Sequence, residues 1–233
     1  MINYAHRGAS EYFPENTLSS FYAGLAMGAN GIETDVHMTR DGVLILFHDD
    51  TVDRVTDGTG DVTSFTYREI LDLRVTNSRT GRTDIIVSLE DFLRFFAFRD
   101  LTFAVELKQP GIERETVDML NRFGVREKTV LTSFDFGSIA AARAYDPRFR
   151  VGYLHGPWET EAAARLRAIG GEEICPRSDM VDAAYVAAHR AMGFSVRAWG
   201  VKDADTMRRL VACGVDGMTV NFPDLLTACL AEG

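Results

Sequence analysis

The chain has 233 residues, of which 46% are hydrophobic and 25% are charged, a composition typical of a globular protein. Its formal net charge of −9 argues against nucleic acid or an anionic membrane as a bulk partner. Three scattered cysteines without metal-type or redox-type spacing indicate reduced thiols and a cytoplasmic protein. The first residues show no signal peptide, and no apolar run reaches the roughly 18 residues of a membrane span, so stable membrane insertion is not expected.

Strands and helices are predicted to alternate along the chain. The first strand, 2–5, precedes a helix that ends near Met27, and the second strand, 31–37, leads through a turn to an apolar strand at 43–47. The next stretch, about 50–86, is polar and long for a loop, which indicates a functional insertion or a small structure of its own. Strand–helix pairs then follow to the end of the chain, with strands at 101–108, 129–134, 150–154, 173–176, 195–201 and 217–220. The predicted helices between and after them include one at 159–169 and a last one at 223–231.

This alternation with short links predicts a parallel sheet. About eight strand–helix units in a chain of this length favour a closed (β/α)8 TIM barrel over an open doubly wound sheet. The first strand-to-helix turn, His6 to Ser10, lacks the Gly-x-Gly-x-x-Gly pattern of a dinucleotide-binding sheet. Since no linker is visible, we expect one domain over 1–233 with a small insertion at about 50–86.

The second predicted strand carries carboxylates where a buried strand would carry Val or Leu. Glu33 and Asp35 point to the same face, because strand side chains alternate with a period of two. Two buried carboxylates repel each other and are costly when unpaired. The pair therefore indicates a bound cation or acid–base chemistry, and the alternative is an exposed polar face on an edge strand.

In barrels of this kind the active site lies at the C-terminal ends of the strands. Seven ionisable residues follow apolar runs at those positions: His6, Arg7, Glu33, Asp35, His48, Glu106 and Lys108. Three carboxylates without cysteine suit one hard divalent ion, Mg²⁺ or Ca²⁺, which can polarise a phosphoryl oxygen. The two cations suit a phosphate, and the two histidines can donate and accept protons across a P–O bond. The set predicts phosphoryl transfer.

These residues belong to motifs that resemble the glycerophosphodiester phosphodiesterase family over essentially the whole chain. The motifs are, in order, His6-Arg7-Gly8, Pro14-Glu15-Asn16-Thr17, Glu33-x-Asp35, His48-Asp49, Arg54-Val55-Thr56, Glu106-x-Lys108, Trp199 and Gly214-Val215-Asp216-Gly217. The resemblance implies a barrel with an insertion after the His-Asp motif. It also implies metal-dependent hydrolysis of glycerophosphodiesters, small-molecule substrates, to glycerol 3-phosphate and an alcohol.

The resemblance also implies a role for each of eight residues: acid–base catalysis for His6 and His48, metal binding for Glu33, Asp35 and Glu106, phosphate binding for Arg7 and Lys108, and a wall of the substrate pocket for Trp199. For Trp199 the alternative is a place in the barrel core. One departure lies at 220–223, where relatives commonly show Thr-Asp-x-Pro and this chain has Val-Asn-Phe-Pro. The loss of a carboxylate at Asn221 leaves open how the alcohol half of the substrate is held.

Several alternatives stay open from the sequence. The same site could act on lysophospholipids or another phosphodiester, the barrel could be a non-catalytic binding domain, or it could be a metal-dependent lyase or aldolase with Lys108 as its only Schiff-base candidate. The sequence does not determine the head-group alcohol, the choice between Mg²⁺ and Ca²⁺, which histidine is the acid, or the oligomeric state.

Three further histidines carry weaker expectations. We expect His37 at the polar rim of the site and His189 on a solvated helix face, whereas His155 is an open candidate for substrate contact. The helix cations Arg208 and Arg209 are expected on solvated faces.

Overall fold

Eight parallel strands close into a barrel in the computed structural model, which describes residues 1–232. The strands in chain order are β1 Ile2–His6, β2 Gly31–Met38, β3 Leu44–Leu46, β4 Val75–Thr76, β5 Thr83–Asp84, β6 Thr102–Leu107, β7 Thr129–Ser133, β8 Arg150–His155, β9 Glu173–Pro176, β10 Ser195–Val201 and β11 Gly217–Val220. The barrel runs β1-β2-β6-β7-β8-β9-β10-β11, and β11 pairs with β1 to close it. The predicted (β/α)8 TIM barrel is confirmed.

Helices follow the barrel strands and cover the outside of the barrel. They are α1 Leu18–Ala26, α2 Tyr67–Ile70, α3 Leu89–Phe96, α4 Glu113–Arg122, α5 Phe136–Tyr145, α6 Ala162–Ala168, α7 Ala183–Ala191, α8 Ala204–Cys213 and α9 Pro223–Ala231. Side-chain oxygens accept hydrogen bonds from free backbone N–H groups at several helix starts, as Thr17 does before α1 and Asp203 before α8. Within residues 1–232, every helix falls short of the length and apolar character that a membrane crossing requires.

The predicted insertion has a small structure of its own. Between β3 and α3 lie the short helix α2 and the β4–β5 hairpin, and β3 pairs antiparallel with β2. This region packs around a second hydrophobic cluster, separate from the main core, that consists of Ile45, Phe47, Val52, Val55, Val62, Ile70, Val75 and Ile86. The insertion is therefore a folded element, and it lies beside the C-terminal end of β2.

Strand register brings polar side chains to the same height of the barrel. His6 pairs with Glu33 across β1 and β2, and Asp35 pairs with Glu106 across β2 and β6. In a parallel barrel, residues at paired positions point to the same side of the sheet. The four ionisable side chains therefore converge at the C-terminal mouth, where the sequence predicts the active site.

Candidate active site

The turn after β1 places Arg7 against the carboxylates of β2. Arg7 and Gly8 have φ angles of +55° and +83°, and a Cβ atom on Gly8 would lie 2.4 Å from the carbonyl carbon of Ser20. Only glycine fits there, since both the backbone angle and the close approach exclude a side chain. The backbone N–H of Arg7 donates to Glu33 O at 2.9 Å and to its side-chain Oε2 at 3.2 Å.

Three buried carboxylates lie together beneath this turn. One oxygen from each of Glu33, Asp35 and Glu106 can be chosen so that all three atoms lie within 4.8 Å of one another. Asp35 Oδ2 accepts a hydrogen bond from Asn16 Nδ2 at 2.9 Å and lies 3.1 Å from Arg7 Nε. Asp35 Oδ1 is buried and has no hydrogen-bond partner among residues 1–232. The cluster thus contains an oxygen that is free to bind a ligand.

The carboxylates have an unfavourable electrostatic balance. Burial raises the pKa of Glu33 well above its usual range, and repulsion by Asp35 and Glu106 raises it further. Burial and repulsion by Asp35 also raise the pKa of Glu106. For Asp35 burial acts in the same direction and is the largest single effect, but the positive charges of Arg7, His48 and Lys108 together outweigh it and lower the pKa. A bound cation would relieve this repulsion, and a donor set of carboxylate oxygens fits Mg²⁺ or Ca²⁺.

The first candidate catalytic histidine, His6, is held by a neutral partner. Its Nδ1 lies 2.5 Å from Asn221 Oδ1, and its Nε2 lies 3.8 Å from Glu33 Oε2. The amide oxygen of Asn221 can only accept a hydrogen bond, so Nδ1 of His6 carries the proton. The ring is then neutral, and its Nε2 has a free lone pair. Burial, together with the positive charge of Arg7, lowers the pKa of His6 to about 3.

The second candidate catalytic histidine, His48, is held by a carboxylate. Its Nδ1 lies 2.5 Å from Asp49 Oδ1, and burial lowers its pKa. The Arg54 guanidinium donates to both oxygens of Asp49 and both oxygens of Glu15, and Glu15 also accepts from Arg7 at 2.9 Å. Burial opposes ionisation of Asp49, but the hydrogen bonds from Arg54 and His48 prevail and lower its pKa to about 2. A continuous chain of ionic contacts thus joins His48 to Arg7 through the insertion.

A cavity of about 530 Å³ opens above the carboxylates, and we call it the main cavity. It is lined by His6, Arg7, Glu11, Glu33, His48, Arg79, Glu106, Phe134, Leu154, Arg197, Trp199, Gly200, Val201, Lys202, Thr219, Asn221 and Phe222. Six of the eight predicted site residues are in this lining. The other two lie behind it: Asp35 is fully buried, and Lys108 Nζ lies 2.9 Å from Glu106 Oε1 and 3.9 Å from Asp35 Oδ1.

The chain matches one protein family over almost its whole length. The model of the Glycerophosphoryl diester phosphodiesterase family matches residues 6–225. The chain belongs to this family. It is 30% identical over 241 residues to a glycerophosphodiester phosphodiesterase of Caldanaerobacter subterraneus subsp. tengcongensis, with 98% of this chain and 97% of that protein covered. A glycerophosphodiester phosphodiesterase of Bacillus altitudinis is also 30% identical, with 95% and 94% covered.

A solved structure agrees with this assignment. The crystal structure of a glycerophosphodiester phosphodiesterase from Agrobacterium tumefaciens strain C58 superposes with a TM-score of 0.83 at 26% sequence identity, and covers 96% of this chain and 97% of its own. The family and enzyme class that the motifs predicted are confirmed. The individual residue roles stay predictions.

The structure shows where Trp199 and the three other histidines lie relative to the main cavity. The ring of Trp199 lines the main cavity and packs edge-on against Phe134, with ring centroids 5.1 Å apart. His37 is buried, not at the rim, because it bonds to Gln109 and to the backbone oxygen of His48. His155 is also buried: its Nε2 lies 3.0 Å from the Tyr185 hydroxyl, and it is absent from the cavity lining. His189 stacks on Tyr185 and is only partly exposed.

One buried ion pair at the floor of the main cavity was missed from the sequence. Arg197 is 1% exposed, and its guanidinium donates to Glu173 at 2.7 Å, to Thr219 at 2.8 Å and to Cys175 Sγ at 3.4 Å. The available signal was a charged residue inside an otherwise apolar strand, the same signal that identified Glu33. Its partner on the neighbouring strand β9 could not be assigned, because the register between two parallel strands is not encoded in the local sequence pattern.

Proposed function

We propose that this protein hydrolyses glycerophosphodiesters to glycerol 3-phosphate and an alcohol, with one divalent cation, Mg²⁺ or Ca²⁺, held by Glu33, Asp35 and Glu106. The observation that carries this proposal is the buried carboxylate cluster set between two histidines at the barrel mouth. The free Oδ1 of Asp35 and the mutual repulsion within the cluster both fit a cation at this position. When bound, the ion would polarise a phosphoryl oxygen and offset the developing negative charge.

His6 and His48 are proposed as the acid–base pair. Each ring has its Nδ1 occupied by a protein partner, which leaves Nε2 to exchange a proton with the substrate or with water. We assign His6 as the base, because its burial and the positive charge of the nearby Arg7 favour its uncharged form. We assign His48 as the acid, because the Asp49 carboxylate stabilises the protonated ring.

Arg7 and Lys108 are proposed to orient the phosphate. The guanidinium of Arg7 is fixed by Glu15 and Asp35, so little side-chain entropy is lost when it meets a phosphate oxygen. Lys108 acts as a point charge behind Glu106. Trp199 and Phe134 form an apolar wall opposite these charges, where the alcohol half of the diester would pack. We further propose that residues 1–233 act as one domain, since Arg54 of the insertion binds Asp49, which in turn holds His48 at the barrel site.

The test is release of glycerol 3-phosphate from glycerophosphocholine and glycerophosphoethanolamine, with and without a chelator, by the wild type and by His48→Ala. We expect turnover that is lost both in chelator and in the variant. Failure of a folded, metal-loaded wild type to turn over either diester would refute the proposal.

Lysophospholipids are a second candidate substrate class, which one observation favours. Phe134 at the cavity wall is 41% exposed, and Trp158 in the loop after β8 is 65% exposed, so two large aromatic rings are available to an acyl chain. Choline release from lysophosphatidylcholine at a higher kcat/KM than from glycerophosphocholine would support this candidate. A lower kcat/KM would eliminate it as the main activity.

A further inference from the structure

A second cavity adjoins the main cavity on the side of β10. It has a volume of about 400 Å³ and shares Gly200 and Lys202 with the main cavity. We call it the annex, and its lining consists of Arg177, Ser178, Asp179, Gly200, Lys202, Asp203, Thr206 and Arg209. A ligand that fills the main cavity can therefore extend past Lys202 into a second polar space.

The annex has an excess of positive charge. Its lining carries three cations, Arg177, Lys202 and Arg209, and two carboxylates. Asp179 is paired with Arg177, from which it accepts two hydrogen bonds, whereas Asp203 accepts from the backbone N–H of Thr206 at the start of α8 and keeps its charge. Arg209 donates to the backbone oxygens of Val181 and Ser178 and has no carboxylate partner among residues 1–232. This residue was expected on a solvated helix face.

Lys202 is the second unmatched cation. Three of the four cations that line the main cavity have a carboxylate partner: Arg7 with Glu15, Arg79 with Glu11 and Arg197 with Glu173. The fourth, Lys202, is exposed and forms no ion pair within residues 1–232. Lys202 and Arg209 outnumber the one annex carboxylate without an ion pair among residues 1–232, Asp203. This edge of the active-site mouth therefore carries a local positive charge that attracts anions, against a net charge of −9 for the whole chain.

The position of the annex matches its charge. It is formed by the residues after β9 and β10, the sixth and seventh strands of the barrel, and by the first turns of α8. In TIM barrels the loops after the seventh and eighth strands often form a phosphate site, and the annex shares the loop after the seventh strand with that position. The scissile phosphate is already accounted for at the carboxylate cluster, so the annex is available to another anionic group.

We propose that the annex binds a second anionic group, a phosphate or a carboxylate, on the alcohol half of the substrate, and that Lys202 is the residue that selects it. This inference rests on the proposed function, because it names the substrate class of the same site. It predicts a preference among glycerophosphodiesters for head groups that carry an additional negative charge.

The experiment uses two matched ligand pairs. Glycerophosphoserine differs from glycerophosphoethanolamine by one carboxylate, and glycerophosphoglycerol phosphate differs from glycerophosphoglycerol by one phosphate. Dissociation constants are measured by calorimetry with Ca²⁺ present in the His48→Ala background, in which turnover does not consume the ligand. The affinity ratio within each pair isolates the contribution of the added anion, and the two pairs distinguish carboxylate from phosphate.

Three variants are compared in that background. We expect tighter binding of the anionic member, with the affinity ratio reduced about fivefold by Lys202→Gln and about tenfold or more by Lys202→Glu. The matched control is Arg68→Gln on the exposed α2 helix, which changes the net charge equally, lines neither cavity and leaves the ratio unchanged. Equal affinities within both pairs, ratios that do not respond to Lys202, or no binding of any ligand would each overturn the inference.

Failure of the proposed function would be visible separately. Wild-type turnover is measured on the same four compounds, and its absence alongside intact ligand binding refutes hydrolysis, whereas the binding ratio alone decides the role of the annex. Thermal unfolding of each variant checks that Lys202 acts on ligand selection and not on folding.

Discussion

Replacement of Glu33 by Gln should stabilise the metal-free protein and abolish its stabilisation by metal. Ligand atoms of the three carboxylates lie within 4.8 Å of one another. At that separation two unit charges repel by about 3.5 kcal/mol if the effective dielectric constant is about 20. Proton uptake by Glu33 and its attraction to Arg7 limit the gain, so we expect a net stabilisation of about 1–3 kcal/mol in chelator. For a chain of this size that corresponds to a rise in Tm of about 2–12 °C.

The pH dependence of the free energy of unfolding tests the same prediction independently. The pKa of Glu33 is raised above its ordinary value of 4.5 in the folded protein. The stability associated with its protonated form is therefore fully present below that ordinary value and is lost as pH rises through the folded pKa. In chelator, the free energy of unfolding of the wild type should fall as the pH rises from 4.5 through the folded pKa of Glu33. The free energy of unfolding of Glu33→Gln should fall less over the same pH range.

The assay is thermal unfolding of wild type and Glu33→Gln in chelator and in excess Ca²⁺ or Mg²⁺. The wild type should gain stability on metal addition and the variant should gain little, because it has lost a charged ligand. Destabilisation of the metal-free variant, or an equal metal-induced shift in both proteins, would refute the reasoning that the cluster is a repulsive cation site.

Three further predictions test other parts of the structure. Asp49→Asn should lower kcat for glycerol 3-phosphate release by on the order of 10²-fold, because the amide no longer favours the protonated His48 ring; a kcat within twofold of wild type would contradict this. Gly8→Ala should destabilise the protein by about 2–4 kcal/mol in urea unfolding, since its Cβ would clash with Ser20 at a positive φ; an unchanged midpoint would count against it. Arg197→Met should lower the free energy of unfolding by about 3–5 kcal/mol, because it leaves Glu173 buried and unpaired. Adding Glu173→Gln to that variant should restore part of the loss. If Arg197→Met alone is as stable as the wild type in urea unfolding, the ion pair has no structural role.

The barrel and the centre of the site could be predicted because both follow from local patterns. Apolar runs separated by helical periodicity identify the strands, and the parallel arrangement alone places the ends of those strands at one mouth. Glu33, Asp35 and Glu106 therefore came together as expected, through the direct pairing of β2 with β6. The predicted bounds of β9, β10, β11 and α9 also agree with the structure.

Contacts that depend on barrel closure or on the insertion could not be predicted. Asn221 meets His6 only because β11 closes against β1, at a sequence separation of 215 residues. Arg54 joins Asp49 to Glu15 because the insertion folds back over the first turn, which no periodicity encodes. Side-chain orientation misled the expectation for His37, which turns inward to Gln109 instead of facing the rim.

One helix boundary was also wrong for a local reason. The pattern predicted a helix over 159–169, whereas α6 spans Ala162–Ala168. The Glu159 side chain accepts from the backbone N–H of Glu161 and binds Arg165 and Tyr153, so it forms a turn before the helix begins. Here a side chain competes with the helical backbone for hydrogen bonds, and hydrophobic periodicity does not reveal such competition.

We expect diester hydrolysis to require one divalent cation at the carboxylate cluster. The most direct measurement is a titration of Ca²⁺ or Mg²⁺ into metal-stripped wild type and Asp35→Asn, with bound metal and glycerol 3-phosphate release from glycerophosphoethanolamine followed together. Wild-type activity should rise with bound metal and reach a plateau at one equivalent, and Asp35→Asn should show neither tight metal binding nor activity. Full activity of the stripped wild type, or equal metal binding and turnover by Asp35→Asn, would contradict this expectation.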